Sequence, residues 1–337
     1  MLPAVARHVS DTGVRIYRIA CQAFPDLVAN VYLLLGAGVP TLVDTGSGIG
    51  PCNSQVLGGI DSVRSEFGEA IALADIRRII ITHGHIDHFG GLAHLVDLIA
   101  PQVAVHRLDL GILTCYEERV TLATRALRRF LEQAGVAADV AQGFLKVYGL
   151  SKQHTRSVQV DTVLDDGAEI DGLRFIHTPG HCPGQVCIAV GNILLTADHV
   201  LPMITPHQAP ESITPFTGLA HYLASLDKID ALPPFELGLG GHEGPIQNVH
   251  ERIVETRNSH LRKLDRMYDL VAQADEPRTV DDLSQQMYAR VRGFHVLLAL
   301  EEVGAHVEHL HQHGRLAVDN LDEIERDPDA PLRYRAV

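Results

Sequence analysis

The chain has 337 residues, 46% hydrophobic and 21% charged, an ordinary globular balance that excludes disordered and fibrous classes. Acidic residues outnumber basic ones 42 to 28, a net charge of −14, which argues against a chain built to coat nucleic acid or an anionic membrane. At roughly 150 residues per domain, the length fits two domains, or one large domain with an appendage. Histidine stands out with 20 residues, and imidazole is the commonest metal ligand. The five cysteines (Cys21, Cys52, Cys115, Cys182, Cys187) are scattered and odd in number. That pattern points to a reducing cytoplasm and not to a disulfide framework. The N-terminal residues lack a secretory pattern, and no apolar run reaches the roughly 18 residues that span a bilayer.

Taken in order, the N-terminal half reads as short strands ending in polar turns. Val14–Ala20 and Asn30–Leu35 are candidate strands, and Pro40–Val43 runs into Asp44-Thr45-Gly46. The β-branched run Arg78–Thr82 leads directly into His83-Gly84-His85-Ile86-Asp87-His88, and helical periodicity follows over Gly91–Ala100. Strand, loop and helix in that order place a site at a strand's C-terminal end in an α/β fold. Residues 107–157 read as a helical insertion. Over 101–160 there are eight Lys/Arg against five Asp/Glu, a basic stretch in an acidic chain.

Strands resume at Val158–Leu164, Leu173–His177, Val186–Val190 and Ile193–Thr196, with Gly191-Asn192 as the turn of a hairpin. A helix over Gly218–Ala231 and a short apolar run, Glu236–Leu239, precede Gly240-Gly241-His242. From about residue 251 three helices are expected: Arg252–Ala274, Thr279–Arg292 and Phe294–His313. The second opens on Thr279-Val280-Asp281-Asp282, a capping-box pattern. Leu316–Val318 and Leu332–Arg335 read as short strands around an Asp-rich loop, which completes a winged-helix-like module.

Three imidazoles and a carboxylate within the six residues 83–88 form a dense metal-ligand pattern. After a strand, such a loop can turn alternate side chains inward. His83 and His85 can then share one cation while Asp87 and His88 face a second. Mixed nitrogen and oxygen donors suit Zn, with Fe and Mn as alternatives.

This loop resembles the HxHxDH signature of the metallo-β-lactamase superfamily, and the other family motifs follow in order. Asp44 matches the early structural aspartate. His181 matches the third-motif histidine, Asp198 the bridging carboxylate and His242 the last histidine. The match runs over about residues 14–250. The segment Ala197–Pro206 and the helical tail resemble the subgroup with a C-terminal winged-helix-like domain, of the β-lactamase-like protein 2 type. The resemblance implies an α/β fold, a four-layer αββα sandwich over residues 1–250, with 251–337 as the winged-helix-like domain. It implies that His83, His85 and His181 bind one metal, that Asp87, His88 and His242 bind the second, and that Asp198 bridges them. Asp44 would support the ligands from behind, or serve as a plain turn aspartate. The implied enzyme is a dinuclear-metal hydrolase in which a bridging hydroxide, oriented by Asp87, cleaves an ester, thioester or lactone. A phosphodiesterase or endoribonuclease and an iron-dependent redox enzyme are the alternatives. β-Lactam hydrolysis itself is not implied, because the best-known zinc lactamases carry Cys where this chain has Asp198.

The basic insertion is the clue to substrate. Arg125, Arg128 and Arg129 read as a lid that meets an anionic arm, or as a solvated helix face. His199 and His207 flank the bridging aspartate as substrate contacts or as structural groups. Cys182 reads as a buried filler, and His306, His309 and His313, on one helix face, as solvated. Residues 251–337 carry 12 Lys/Arg and 17 Asp/Glu, too acidic for a nucleic-acid-reading wing. This module is therefore expected to pack on the insertion or to serve a homodimer. The expected partner is a small, anionic substrate, with neither nucleic acid nor membrane.

Overall fold

A computed structural model describes residues 2–151 and 154–337; Lys152, one of the basic residues of the insertion, lies outside them. The first seven strands form one mixed sheet in chain order. They are β1 (Ala6–Val9), β2 (Arg15–Phe24), β3 (Leu27–Leu35), β4 (Thr41–Val43), β5 (Arg78–Ile81), β6 (Gln102–His106) and β7 (Thr162–Leu164). β1 to β4 pair antiparallel, and β4 to β7 pair parallel. The second sheet holds β8 (Glu169–Ile170), β9 (Leu173–His177), β10 (Val186–Val190), β11 (Ile193–Ala197), β12 (Leu237–Gly240) and β13 (Pro245–Ile246). Its β11–β12 pair is parallel and the rest antiparallel. Val190 faces Ile193 across the expected two-residue turn, where Gly191 takes φ 57°.

Both faces of each sheet are covered, so the central strands are apolar on both sides. Ile16, Leu34, Val43 and Ile80 of the first sheet meet Phe175, Ile188, Leu195 and Leu239 of the second in the inner core. Tyr17, Ile19, Leu33 and Ile79 turn the other way, onto α1 (Cys52–Phe67) and α3 (Leu92–Ile99). The outer face of the second sheet packs on α7 (Leu219–Asp230) and on the C-terminal helices. The result is the four-layer αββα arrangement expected from the sequence.

The insertion folds as α4 (Leu110–Thr114), α5 (Tyr116–Gln133) and α6 (Ala138–Ser151), after the single turn α2 (Ile86–Phe89) earlier in the chain. The C-terminal region comprises α8 (Val249–Ala272), α9 (Val280–Met287), α10 (His295–Gln312) and α11 (Leu321–Arg326), with β14 (Leu316–Val318) antiparallel to β15 (Tyr334–Ala336). Leu127 and Leu131 of α5 share one core with Leu264, Leu283, Leu300 and Val303 of this region, so insertion and C-terminal helices are packed together. Among the described residues, no helix is long and apolar enough to cross a membrane.

Several boundaries differ from the sequence expectation. The helix expected over Thr279–Arg292 starts with the full capping box but stops at Met287, where Tyr288 leaves helical geometry. The strand expected over Val158–Leu164 pairs only from Thr162. The strand expected at Leu332–Arg335 is shifted to Tyr334–Ala336. The Asp-rich loop contains α11, and β1 had no sequence signal strong enough to read. His306 is a correction: it is fully buried, beside His260 and Glu302, and not on a solvated face. Its polarity is met by Nδ1 donating 2.7 Å to the Glu302 carbonyl.

Candidate metal centre

The site lies where strands of both sheets end. Asp44 follows β4, His83 follows β5, Asp198 follows β11, and His242 follows β12. The 83–88 loop does not keep alternating. His85 is extended, and α2 then turns Asp87 and His88, neighbours about 100° apart on a helix, toward the same centre. Thr45 holds that turn, donating from its N (2.7 Å) and Oγ1 (2.9 Å) to the His88 carbonyl.

Seven side chains converge. His83, His85 and His181 form one potential ligand triad, and Asp87, His88 and His242 another; within each, the ligand atoms lie within 4.8 Å of one another. Asp198 sits between them. Its Oδ1 is 3.5 Å from His88 Nε2, and its Oδ2 is 3.1 Å from His242 Nε2 and 3.7 Å from His181 Nε2. Gly241 is required beside it, since a Cβ there would stand 2.2 Å from Asp198 Oδ1.

The outer partners of the rings fix which nitrogen faces inward. His88 Nδ1 donates 2.8 Å to Asp44 Oδ2, His181 Nδ1 2.6 Å to the His207 carbonyl, and His242 Nδ1 2.8 Å to the Val28 carbonyl. Thr82 Oγ1 gives its proton to Asp44 Oδ2 at 2.8 Å, so it accepts from His83 Nδ1 at 3.1 Å. In all four rings Nε2 is thereby the nitrogen turned into the centre. His83 Nε2 then lies only 3.2 Å from His85 Nδ1. Buried His88 Nε2, His181 Nε2 and Asp198 Oδ1 have no hydrogen-bond partner. Converging ring nitrogens and carboxylates, with buried polar atoms left unpartnered, fit a divalent metal.

The field in the centre agrees. Burial lowers the proton affinity of His88, yet Asp198, Asp87 and Asp44 outweigh it and hold the ring up at about 10. Burial works against ionised Asp87, but His88 and His242 keep it well below the usual carboxylate range. His85, away from most of this charge, is pushed down to about 3 by burial and the neighbouring His181. The carboxylates thus keep a proton on His88 that a bound cation would replace.

The sequence missed Asp109. This buried carboxylate accepts from Gly84 N (2.7 Å), Gly184 N (2.9 Å) and Cys182 Sγ (3.5 Å). It ties the His83–His85 turn to the loop of His181, and a Cβ on Gly184 would come within 2.5 Å of its Cγ. Its position just past β6, at the same sheet edge, was the available signal. Asn30 and Tyr32 were missed too: Asn30 Nδ2 (3.0 Å) and Tyr32 Oη (2.6 Å) both donate to the Gly240 carbonyl and pin the His242 loop.

Of the residues considered for substrate contact, the two histidines are engaged by the protein itself and the three arginines are exposed. His199 is fully buried with its ring against Tyr222, turned to the interior and not toward a substrate face. His207 holds His181 through its carbonyl while its ring pairs with Glu301 at 2.9 Å. Arg125, Arg128 and Arg129 are exposed and line an outward groove of about 730 Å³ with Glu132, Ser212 and Asp329. Cys182 is buried, as expected, and its thiol serves Asp109.

Fold and site together define a His/Asp cluster capable of binding metal on an αββα scaffold. The chain matches the Metallo-beta-lactamase superfamily over residues 25–242 and belongs to that superfamily. It is 23% identical to "Probable metallo-hydrolase YqjP" of Bacillus subtilis, covering 82% of this chain and 86% of the relative. It is 26% identical to a "Beta-lactamase-like protein 2 homolog" of Drosophila melanogaster, covering 96% of both chains. Among solved structures, the metallo-beta-lactamase family protein TTHA1429 of Thermus thermophilus superposes with a TM-score of 0.76 at 25% identity, covering 96% of this chain and 98% of that one.

Proposed function

We propose that this protein is a dinuclear metal-dependent hydrolase acting on a small ester, thioester or lactone. The observation that carries the reading is the inward aim of Nε2 in four rings, each set by a named outer acceptor. His83, His85 and His181 would hold one ion, Asp87, His88 and His242 the other, with Asp198 shared. Mixed imidazole and carboxylate donors favour Zn. When bound, the metals supply a water of lowered pKa and positive charge for the oxyanion that forms at the carbonyl. Asp87, held ionised, would orient the attacking water by accepting a hydrogen bond from it. Its Oδ2 faces His242 Nε2 at 3.4 Å and His88 Nε2 at 3.7 Å, two groups that favour its ionised form. The complete donor set requires no serine or cysteine nucleophile. The name metallo-hydrolase carried by the Bacillus relative supports the same class.

A phosphodiester substrate is the second reading. Arg125, Arg128 and Arg129 have no ionic partner among the described residues, and three free guanidinium groups in one groove favour an anionic substrate arm. Metal analysis of the purified protein, followed by turnover of a thioester, a lactone, a simple ester, a bis-aryl phosphodiester and an RNA oligomer, tests both. The expected result is about two Zn per chain and turnover of a carbonyl substrate. Hydrolysis of the phosphodiester or RNA alone would select the second reading, and a chain that binds no metal would overturn both.

A further inference from the structure

The C-terminal helices reach the metal centre through one short segment. Residues 201–208 follow Asp198 and end where the His207 carbonyl receives the His181 Nδ1 proton at 2.6 Å. In the first half Leu201 is buried and Met203 N donates 2.8 Å to Glu243 Oε2, but the Met203 and Ile204 side chains are 79% and 50% exposed. Polar clamps from α8 and α10 fix it as well. Arg252 donates from Nε to the Leu201 carbonyl (2.7 Å) and from Nη2 to the Ile204 carbonyl (3.0 Å). Lys263 Nζ reaches Thr205 Oγ1 at 3.3 Å and Glu302 Oε1 at 2.6 Å. Glu302 Oε2 accepts from Gln208 N at 2.8 Å, and Glu301 takes the His207 ring.

The buried group His260, Glu302 and His306 could itself be read as a metal site. Its protons argue otherwise. His306 Nδ1 donates to the Glu302 carbonyl, so its Nε2 accepts from His260 Nδ1 at 3.1 Å, and Lys263 already occupies Glu302 Oε1. The cluster is a buttress that sets the Glu302 carboxylate.

We propose that Glu302 is a positioning residue for the metal centre: through Gln208 N and the adjacent His207 carbonyl it holds the His181 ring with Nε2 toward the metals. Residues 249–337 are then a working part of the site, whatever else they do. The His181 proton needs an acceptor at one place. The His207 carbonyl is the acceptor bonded to the Gln208 nitrogen, so the Glu302 carboxylate that holds Gln208 N also fixes where that carbonyl points. The inference rests on the metal-centre reading above.

The test is a metal titration on the full chain, with Zn competed against a chromophoric chelator and Co(II) followed by its visible spectrum. Thermal unfolding of the metal-free protein is measured in parallel. Glu302→Gln keeps the shape of the side chain but turns an amide toward Gln208 N or Lys263. It is expected to weaken binding about 10- to 100-fold, the usual range for an outer partner of a ligand, and to alter the Co(II) spectrum. Arg252→Ala, which loosens the same segment from outside the buried cluster, is expected to act in the same direction and carries the test if Glu302→Gln does not fold. Leu316→Ala, on β14 in the same core, opens a cavity outside α8 and α10 and does not touch the segment. It is expected to lower thermal stability while leaving metal affinity within twofold. The proposal is overturned if the folded Glu302→Gln or Arg252→Ala protein binds metal as the wild type does, or if Leu316→Ala weakens binding as much as they do. A wild-type chain that binds no metal would instead overturn the metal-centre reading itself.

Discussion

Asp44→Asn isolates the outer layer of the site from its backbone. Asp44 sits at φ 63°, in the left-handed region, which Asn occupies at least as readily, so the loop conformation is preserved. The hydrogen bonds are not. Asp44 Oδ1 accepts from Thr82 N, while Oδ2 accepts from both Thr82 Oγ1 and His88 Nδ1, all at 2.8 Å. In the variant the amide oxygen can keep Thr82 N, which leaves an NH2 group facing two donors. His88 escapes the conflict by moving its proton to Nε2, the nitrogen aimed at the centre. Thr82 escapes by turning its hydroxyl toward His83 Nδ1, which sends that ring's proton inward as well. One substitution therefore disfavours the ligating tautomer of two rings. Losing a charge-assisted hydrogen bond costs about 1.5–3 kcal/mol, which corresponds to a roughly 10- to 150-fold weaker metal affinity. The assay is Zn competition against a chelator at pH 7.5, with metal-free unfolding measured beside it. A folded Asp44→Asn protein with metal affinity within twofold of wild type would refute the tautomer argument.

Asp198→Ala or His85→Ala should remove metal and turnover together; elemental analysis with a substrate assay checks this, and full activity in a metal-free Asp198→Ala protein would sink the mechanism. His260 is held down at about 3 by burial, so the fold binds fewer protons than the unfolded chain between about pH 6.5 and 3. The stability it confers is complete above pH 6.5 and is lost as pH falls through that window. Between pH 7.5 and 4.5, urea unfolding should show His260→Gln losing about 3 kcal/mol less than wild type; equal losses would remove His260 from the account. Arg128→Glu with Arg129→Glu should raise KM for an anionic substrate at unchanged metal content, and an unchanged KM for every anionic substrate in the panel would make the groove irrelevant to substrate.

The metal ligands were legible because they are crowded along the chain. His83, His85, Asp87 and His88 fall within six residues, His181 and His242 each sit in a short glycine-bearing turn past a strand, and Asp198 directly follows β11. The groups that aim them were harder to read. The donors and acceptors serving His181 come from positions 207, 301 and 302, far from it in sequence. The Val28 carbonyl that orients His242 is a backbone atom and leaves no mark on residue type. His306 misled because its 3.6-residue neighbours include His309 and His313; periodicity assigns a face, but only packing against His260 shows that part of the face is buried.

Strain marks the same place as the ligands. Among the described residues six non-glycine residues take positive φ, and three of them touch the site: Asp44 itself, Ala197 just before Asp198, and Glu243 just after His242. Each such residue costs on the order of 1–3 kcal/mol and persists only where the surroundings over-determine it. Here the surroundings are on the page. Asp44 is held by Thr82 and His88, and the 240–243 loop by Asn30 and Tyr32. Ala197 is fixed where β11 shifts register against Gly240 of β12. On the other side of the centre, Asp109 joins the loops of His83–His85 and His181, and the C-terminal clamp fixes the acceptor of His181. The ligand loops are thus tied to one another and to the surrounding strands and helices. That arrangement keeps seven mutually repelling or proton-hungry groups in place before any cation arrives, and it explains why the insertion and the C-terminal helices share one core with the second sheet.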